Sequence, residues 1–406
     1  MNEHKTRYRY VITAACFAIQ AIGIGVYVSY GVFFHPLNTE FGWSRATISG
    51  ASSVAFFFMG LIGIWVGRLN DKVGPKKMMA VTGFFFGLGY LFMSRIEAIW
   101  QLYLFYGVGV GIGLSAVDVI PLSTTARWFV KNRGKMTGIV KVGTGAGQFS
   151  IPLMVSLLIA AYGWRTSYVI LGITVMLLLI SIRQLLRRDP GQMAFTEEES
   201  KYPSDEKPGQ AVEGLSLHEA FRTRQFWAIC LINLAVIFCL LSIMVHIVPH
   251  AQDLGASATR AAGVLATIGG VSIIGRFVSG IAVDRFGSKL IMMVCFALLI
   301  SGLLWLQMAR EEWMLYLFGV IYGIAHGGYF TAILPIVAEY FGIYAHGVLF
   351  GIVVFSGTIG GSIGPFLAGY IFDMTSSYNQ AFWLFTLTSV LGLVMLISLK
   401  PIDRNT

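Results

Sequence analysis

Apolar residues in this chain do not alternate in twos, nor do they form narrow one-sided stripes. They come in unbroken runs of roughly twenty residues or more, the length a helix needs to cross a hydrocarbon core about 30 Å thick. Twelve such runs can be placed, at 10–34, 47–68, 78–95, 100–126, 134–161, 165–186, 225–249, 260–283, 288–309, 313–341, 343–371 and 379–399. Many are rich in glycine, which in lipid lets helices approach closely instead of ending them. No alternating ten-residue barrel pattern appears. The first run is too long for a cleaved signal and lacks a small-residue cleavage site, so it is expected to be the first span. The expected fold is therefore all-α and integral to a membrane, with twelve transmembrane helices.

One long polar stretch interrupts the runs, at 187–224. It carries Asp189-Pro190-Gly191, the acidic run Glu197-Glu198-Glu199, and Pro203 and Pro208, and reads as a solvated linker with a helix start between His218 and Arg224. It separates a six-span unit at 1–186 from a second at 225–406, and the two are copies. Gly67, Asp71 and Gly74 recur as Gly280, Asp284 and Gly287, an offset of 213 that also relates Pro152 to Pro365, Gly147 to Gly360, and Gly134 and Gly138 to Gly347 and Gly351. Duplicated six-helix units of this kind build transporters whose site lies at mid-membrane between the halves.

Composition strengthens this reading. The AVILMFWYC residues make up 56% of the chain and charged residues 12%, too apolar for any soluble interior to hide. Cys16, Cys230, Cys239 and Cys295 each sit inside an apolar run, as small hydrophobes rather than a disulfide framework. The net charge of +9 follows from topology rather than from nucleic-acid binding. With the N-terminus inside, the inner connections and tails collect 22 Lys and Arg and the outer ones five, Arg45, Arg95, Arg165, Arg260 and Arg310, so both termini are expected in the cytoplasm. The two cations left over, Lys141 and Arg276, lie inside spans.

The loop Gly67-x-x-x-Asp71-Lys72-x-Gly74-x-Lys76-Lys77, with its weaker copy ending in Asp284-Arg285, resembles the signature loop of the major facilitator superfamily, and the resemblance covers essentially the whole chain. Within it, Phe41-Gly42-Trp43-Ser44-Arg45-Ala46, Trp128-Phe129…Arg133-Gly134…Gly138 and Gly275-Arg276-Phe277…Gly280…Asp284-Arg285 are similar to the monocarboxylate transporter and oxalate–formate antiporter group. The likeness is nearest to bacterial proton-coupled lactate transporters of that group, which implies a cytoplasmic (inner) membrane protein working as a monomer. It also implies that Gly67, Asp71, Lys72, Gly74, Asp284 and Arg285 form a latch closing the inner side. Many monocarboxylate transporters carry an Asp one turn before the span-8 arginine; here that place is Ser272.

The residues themselves suggest roles. Gly67 and Gly74 suit a tight turn, Asp71 can accept from a helix start or a nearby Arg, and Lys76 and Lys77 face headgroups. Asp118 and Lys141 fall at matching depth on consecutive spans, where an unpaired charge costs at least ~2.5–3.5 kcal/mol, and are expected to form a buried, mainly structural ion pair. Arg276 has no partner on its own helix and is expected to bind a substrate carboxylate. Tyr27, Tyr30, Asn233, Tyr329 and Phe330 are candidates for the cavity wall, although packing explains each equally well. Asp253 is the candidate for proton coupling, pairing with Arg276 when the site is empty. His246 and His250 share a helical face but lack a third ligand of matching type, so no metal is expected. No Walker loop, nucleophile–base pair or cofactor motif is present, and Gly107-x-Gly109-x-Gly111 is not preceded by a strand.

These residues point to proton-coupled symport of a small monocarboxylate such as L-lactate, with no enzyme activity. An oxalate–formate type antiporter is the first alternative, but span 11 carries His346 and no Lys or Arg for a second carboxylate. A transporter-like membrane sensor is the second, and the short tails offer it no signalling module.

Overall fold

The computed structural model describes residues 3–129, 133–187, 214–342 and 344–400. Most of the expected linker, 188–213, thus lies outside the described residues; its end at 214–224 does not. There Gly214 bridges to Gly342, and Ser216 and Glu219 form a reciprocal capping box at the start of α8, Leu217–Phe221.

Apart from that isolated bridge, the regular secondary structure of the described residues consists of helices. In the N-terminal half these are α1 (Glu3–Val28), α2 (Tyr30–Phe41), α3 (Arg45–Val73), α4 (Pro75–Met93), α5 (Ile99–Leu102), a π-helical segment (Tyr103–Val110), α6 (Gly111–Trp128) and α7 (Arg133–Ile182). The C-terminal half has α9 (Arg224–Asp253), α10 (Ala258–Phe286), α11 (Ser288–Met308), α12 (Glu312–Phe341), α13 (His346–Thr375) and α14 (Asn379–Ser398). Ten stretches among the described residues are long and apolar enough to cross a membrane. One of them, Met136–Leu185, spans 50 residues and overlaps α7, which is divided by Gly163, whose φ of 75° no helix contains.

The outward surface is apolar: Trp65, Phe277, Met308 and Met374 are each at least 66% exposed, so lipid completes the burial that water would not. Inside, small residues set the spacing. A Cβ on Gly147 would lie 1.9 Å from the Ala21 carbonyl, and one on its repeat mate Gly360 would lie 2.1 Å from that of Leu234. The duplicated glycines therefore do the same job twice, seating α7 on α1 and α13 on α9. Neither Pro152 nor Pro365 ends its helix.

The turn glycines are also a repeat pair. Gly74 (φ 89°) and Gly287 (φ 80°) take a backbone that L side chains avoid, one residue before α4 and α11. Gly67 does not share this role: it lies within α3, in ordinary contact with Val119. The tight turn is made by Gly74 without it.

The two halves meet unequally. We call the end carrying Asp71 and Asp284 the inner end and the opposite one the outer. Among the described residues, every hydrogen bond between the halves lies at the outer end or at mid-depth. Gly138, Gly347 and Gly351, near the inner ends of α7 and α13, face open space. Among the described residues the bundle is closed outside and parted inside.

Candidate functional site

Close backbone approach brings the central charges together. A Cβ on Gly275 would meet the Ile324 carbonyl at 2.6 Å, and one on Gly327 the Ser272 carbonyl at 2.1 Å, so α10 and α12 touch along their glycines. Across the halves, Gly269 lies equally close to the Gln148 backbone of α7. With α7 this near, the Arg276 guanidinium reaches over and donates through Nη1 to the Lys141 backbone carbonyl at 3.2 Å.

Arg276 is only 8% exposed, and among the described residues no carboxylate forms an ion pair with it. Among the described residues its Nε is buried without a partner and its Nη2 makes no hydrogen bond. The edge left free is the Nε–Nη2 edge, the fork geometry that a carboxylate fits bidentately. Phe330 lies beside it, its ring centroid 5.9 Å from the guanidinium carbon.

Asp118 and Lys141 do meet, Nζ to Oδ1 at 2.7 Å. The pair is not sealed, however: the Lys141 side chain is 31% exposed and that of Asp118 43%. A pair expected to be buried instead opens into the space between the parted inner ends. Gln20, wholly buried on α1, donates to the same Oδ1 at 2.7 Å and to the Val117 carbonyl at 2.9 Å, and accepts from Thr144 at 2.7 Å. Asp118 is thus held by two donors on one oxygen. Its other oxygen has no hydrogen bond among the described residues.

The other expected wall residues are placed differently. Tyr30 donates to the Ile48 carbonyl and stacks on Tyr106 inside the N-terminal half. Tyr27 bonds Ser52, again within that half. Tyr329 donates to Asn233 Oδ1, while Asn233 Nδ2 donates to the Val353 carbonyl; both are buried in the C-terminal half, bonded to each other. Of the expected set, Phe330 alone lies against Arg276.

The sequence profile of the Major Facilitator Superfamily matches residues 13–281 and 250–406. The chain belongs to the major facilitator superfamily. Within that superfamily, the proteins it is similar to include monocarboxylate transporters. It is 25% identical over 375 residues to monocarboxylate transporter 13 of Rattus norvegicus, covering 92% of this chain and 84% of that protein. It is 26% identical over 408 residues to monocarboxylate transporter 4 of Gallus gallus, covering 98% and 85%. A bacterial homologue of the human lysosomal transporter Spinster, solved in an inward-facing and occupied conformation, shares the fold with a TM-score of 0.76 at 17% identity over 96% of each chain.

The signature loop of the superfamily makes its ion pair within one half. Asp71 accepts from Arg127, while Lys72, Asp284 and Arg285 are exposed at the parted inner end. No latch between the halves is made there among the described residues.

The closure is at the outer end, on a residue that composition counted only as an outer cation. Arg45 grips Asp253 with two hydrogen bonds, at 2.7 and 2.6 Å, donates to the Tyr378 hydroxyl at 2.8 Å, and lies 3.6 Å over the Phe372 ring. Asp373 accepts from the backbone N–H groups of Arg45 and Ala46, capping α3 from the other half. The expected Asp253–Arg276 pair is therefore not formed. Arg276 lies 18 residues into α10, about 27 Å along the axis from its outer end, whereas Asp253 stays outside that end. His246, far from being a ligand, bonds Tyr378 and the Pro365 carbonyl, and the described residues contain no group of three His, Cys, Asp or Glu placed to hold a metal.

Proposed function

We propose that this chain is a secondary transporter carrying a small monocarboxylate, L-lactate or a near analogue, together with a proton. It works by alternating access through twelve spans, with both termini on the cytoplasmic face of a bacterial inner membrane. One observation carries the substrate class: a buried guanidinium at mid-depth, between the halves, with its bidentate edge unpaired among the described residues. A cation there costs too much to be kept without an anion to bind. Counting the neighbours sharpens this. Asp118 cancels Lys141, leaving the cluster with the single net positive charge of Arg276. Arg276 offers one free bidentate edge, which accommodates one carboxylate, and this supports a monocarboxylate over oxalate. Phe330, partly exposed beside the guanidinium, offers an apolar wall for a short carbon chain.

Asp253 takes its place in this scheme at the outer closure, in the grip of Arg45, where breaking the pair accompanies opening to the outside. The test of the reading is uptake by proteoliposomes of labelled lactate, pyruvate, acetate, formate and oxalate, with and without an imposed pH gradient. Gradient-driven accumulation of lactate or pyruvate is the expected result. Oxalate uptake exchanged for formate, indifferent to the gradient, would replace it with the antiporter.

A further inference from the structure

Asp118 and Lys141 are more than a packing device, because three features of the pair do not serve packing. Both side chains face the open inner cavity instead of a sealed interior. The carboxylate is held on Oδ1 alone, by Lys141 and Gln20, and Gln20 is itself fixed by Thr144 and the Val117 carbonyl. That anchoring keeps Asp118 in place whether or not Lys141 stays. Lastly, the residue that bears this ammonium also supplies the carbonyl that Arg276 holds, so the two cations border one space. Of the charged groups on the elements packed around Asp118, Lys141 of α7 and Arg276 of α10 face it; α1 contributes the uncharged Gln20.

Resting on the carboxylate-transport reading above, we propose that Asp118 is the proton-binding group of the transport cycle, and that the substrate carboxylate takes its place on Lys141. In the empty site Asp118 is ionised against two cations. An anion arriving at the free edge of Arg276 comes within reach of the Lys141 ammonium and competes for it. An ionised Asp118 would then face a second carboxylate at close range with no cation of its own, and one proton removes that repulsion. The charges balance. Empty, the cluster is one carboxylate and two cations, net +1. Loaded, it is a neutral Asp118, two cations and one substrate anion, again +1. The empty and loaded clusters thus carry the same charge, and the net cargo is the neutral acid.

The assignment is tested on the purified full-length protein by titration calorimetry with L-lactate in buffers of different ionisation enthalpy, which reads protons bound per anion. Wild-type protein is expected to take up about one proton per lactate near neutral pH. Asp118→Asn is expected to bind lactate and take up none, to keep lactate counterflow in proteoliposomes, and to lose gradient-driven accumulation. Should Asp118→Asn fail to fold, the double variant Asp118→Asn/Lys141→Gln removes both charges and is expected to show the same absence of proton uptake. Proton uptake that persists in either variant, or that disappears in Asp253→Asn while Asp118→Asn retains it, would overturn the assignment and leave the carboxylate reading standing. Failure of the wild-type protein to bind lactate or pyruvate at all would overturn both.

Discussion

The free edge of Arg276 makes a quantitative prediction. Its Nη1 is committed to the Lys141 carbonyl, so a bound carboxylate uses Nε and Nη2. Hydrogen bonds to charged groups contribute about 1.5–3 kcal/mol each, so two of them contribute about 3–6 kcal/mol, or roughly a hundred- to ten-thousandfold in Kd. Arg276→Met removes both and is expected to weaken lactate binding by that factor. Arg276→Lys keeps the charge but offers no fork; losing one of the two bonds predicts a loss of about tenfold to a hundredfold. Stability should move the other way. The wild-type residue is a mid-span cation without an ion-pair partner among the described residues, which costs at least ~2.5–3.5 kcal/mol in lipid. Replacing it with Met therefore leaves thermal stability unchanged or raised, whereas breaking a structural salt bridge would lower it. The assays are equilibrium binding of labelled lactate and a thermal melt on the same purified variants. Near-normal lactate affinity in a folded Arg276→Met would show that the anion is held elsewhere, and a marked drop in melting temperature would show that the guanidinium has a structural partner.

Three further outcomes follow from the packing. Arg45→Gln and Asp253→Asn each release the outer clamp, so a cysteine placed at Ser49, fully buried there, should be labelled by an impermeant maleimide about tenfold faster than in the wild-type background; unchanged labelling would show that the clamp does not hold the outer end shut. Gly147→Val drives side-chain atoms into the Ala21 backbone and should cost about 1–3 kcal/mol or the fold itself, whereas Gly138→Ala, facing open space, should be tolerated; equal melting temperatures would contradict the close approach of α7 and α1. Tyr329→Phe strands a buried Asn233 acceptor and should lose about 1–3 kcal/mol of stability while leaving lactate affinity intact, and a selective loss of affinity would return Tyr329 and Asn233 to the binding wall.

Much of this was legible in the sequence, because lipid imposes rules that are local and one-dimensional. A span must be an apolar helix, since no water is available to satisfy an open backbone, and its length follows from the thickness to be crossed. The duplicated glycines could be paired by offset alone, because Gly147 and Gly360 meet the same steric demand in each half. Arg276 stood out for the same reason: a charge inside an apolar run is costly wherever the helix points.

What could not be read was which side chain meets which across the two halves. Arg45 and Asp253 are 208 residues apart, and nothing in either segment marks the other as its partner. Gln20 and Thr144 gave only the faint signal of a polar residue in an apolar run, yet they decide how Asp118 is held. Tyr30, Asn233 and Tyr329 have compositions equally suited to a cavity wall and to a core, and only the rotation of their helices settled the matter. Exposure of the Asp118–Lys141 pair was likewise hidden, because it depends on how far the inner ends stand apart. The sequence by itself determined the apolar surroundings, the helical class, the repeat and the buried cation. Tertiary structure alone decided the partners between the halves, since that pairing depends on helix rotation and on which end of the bundle is closed.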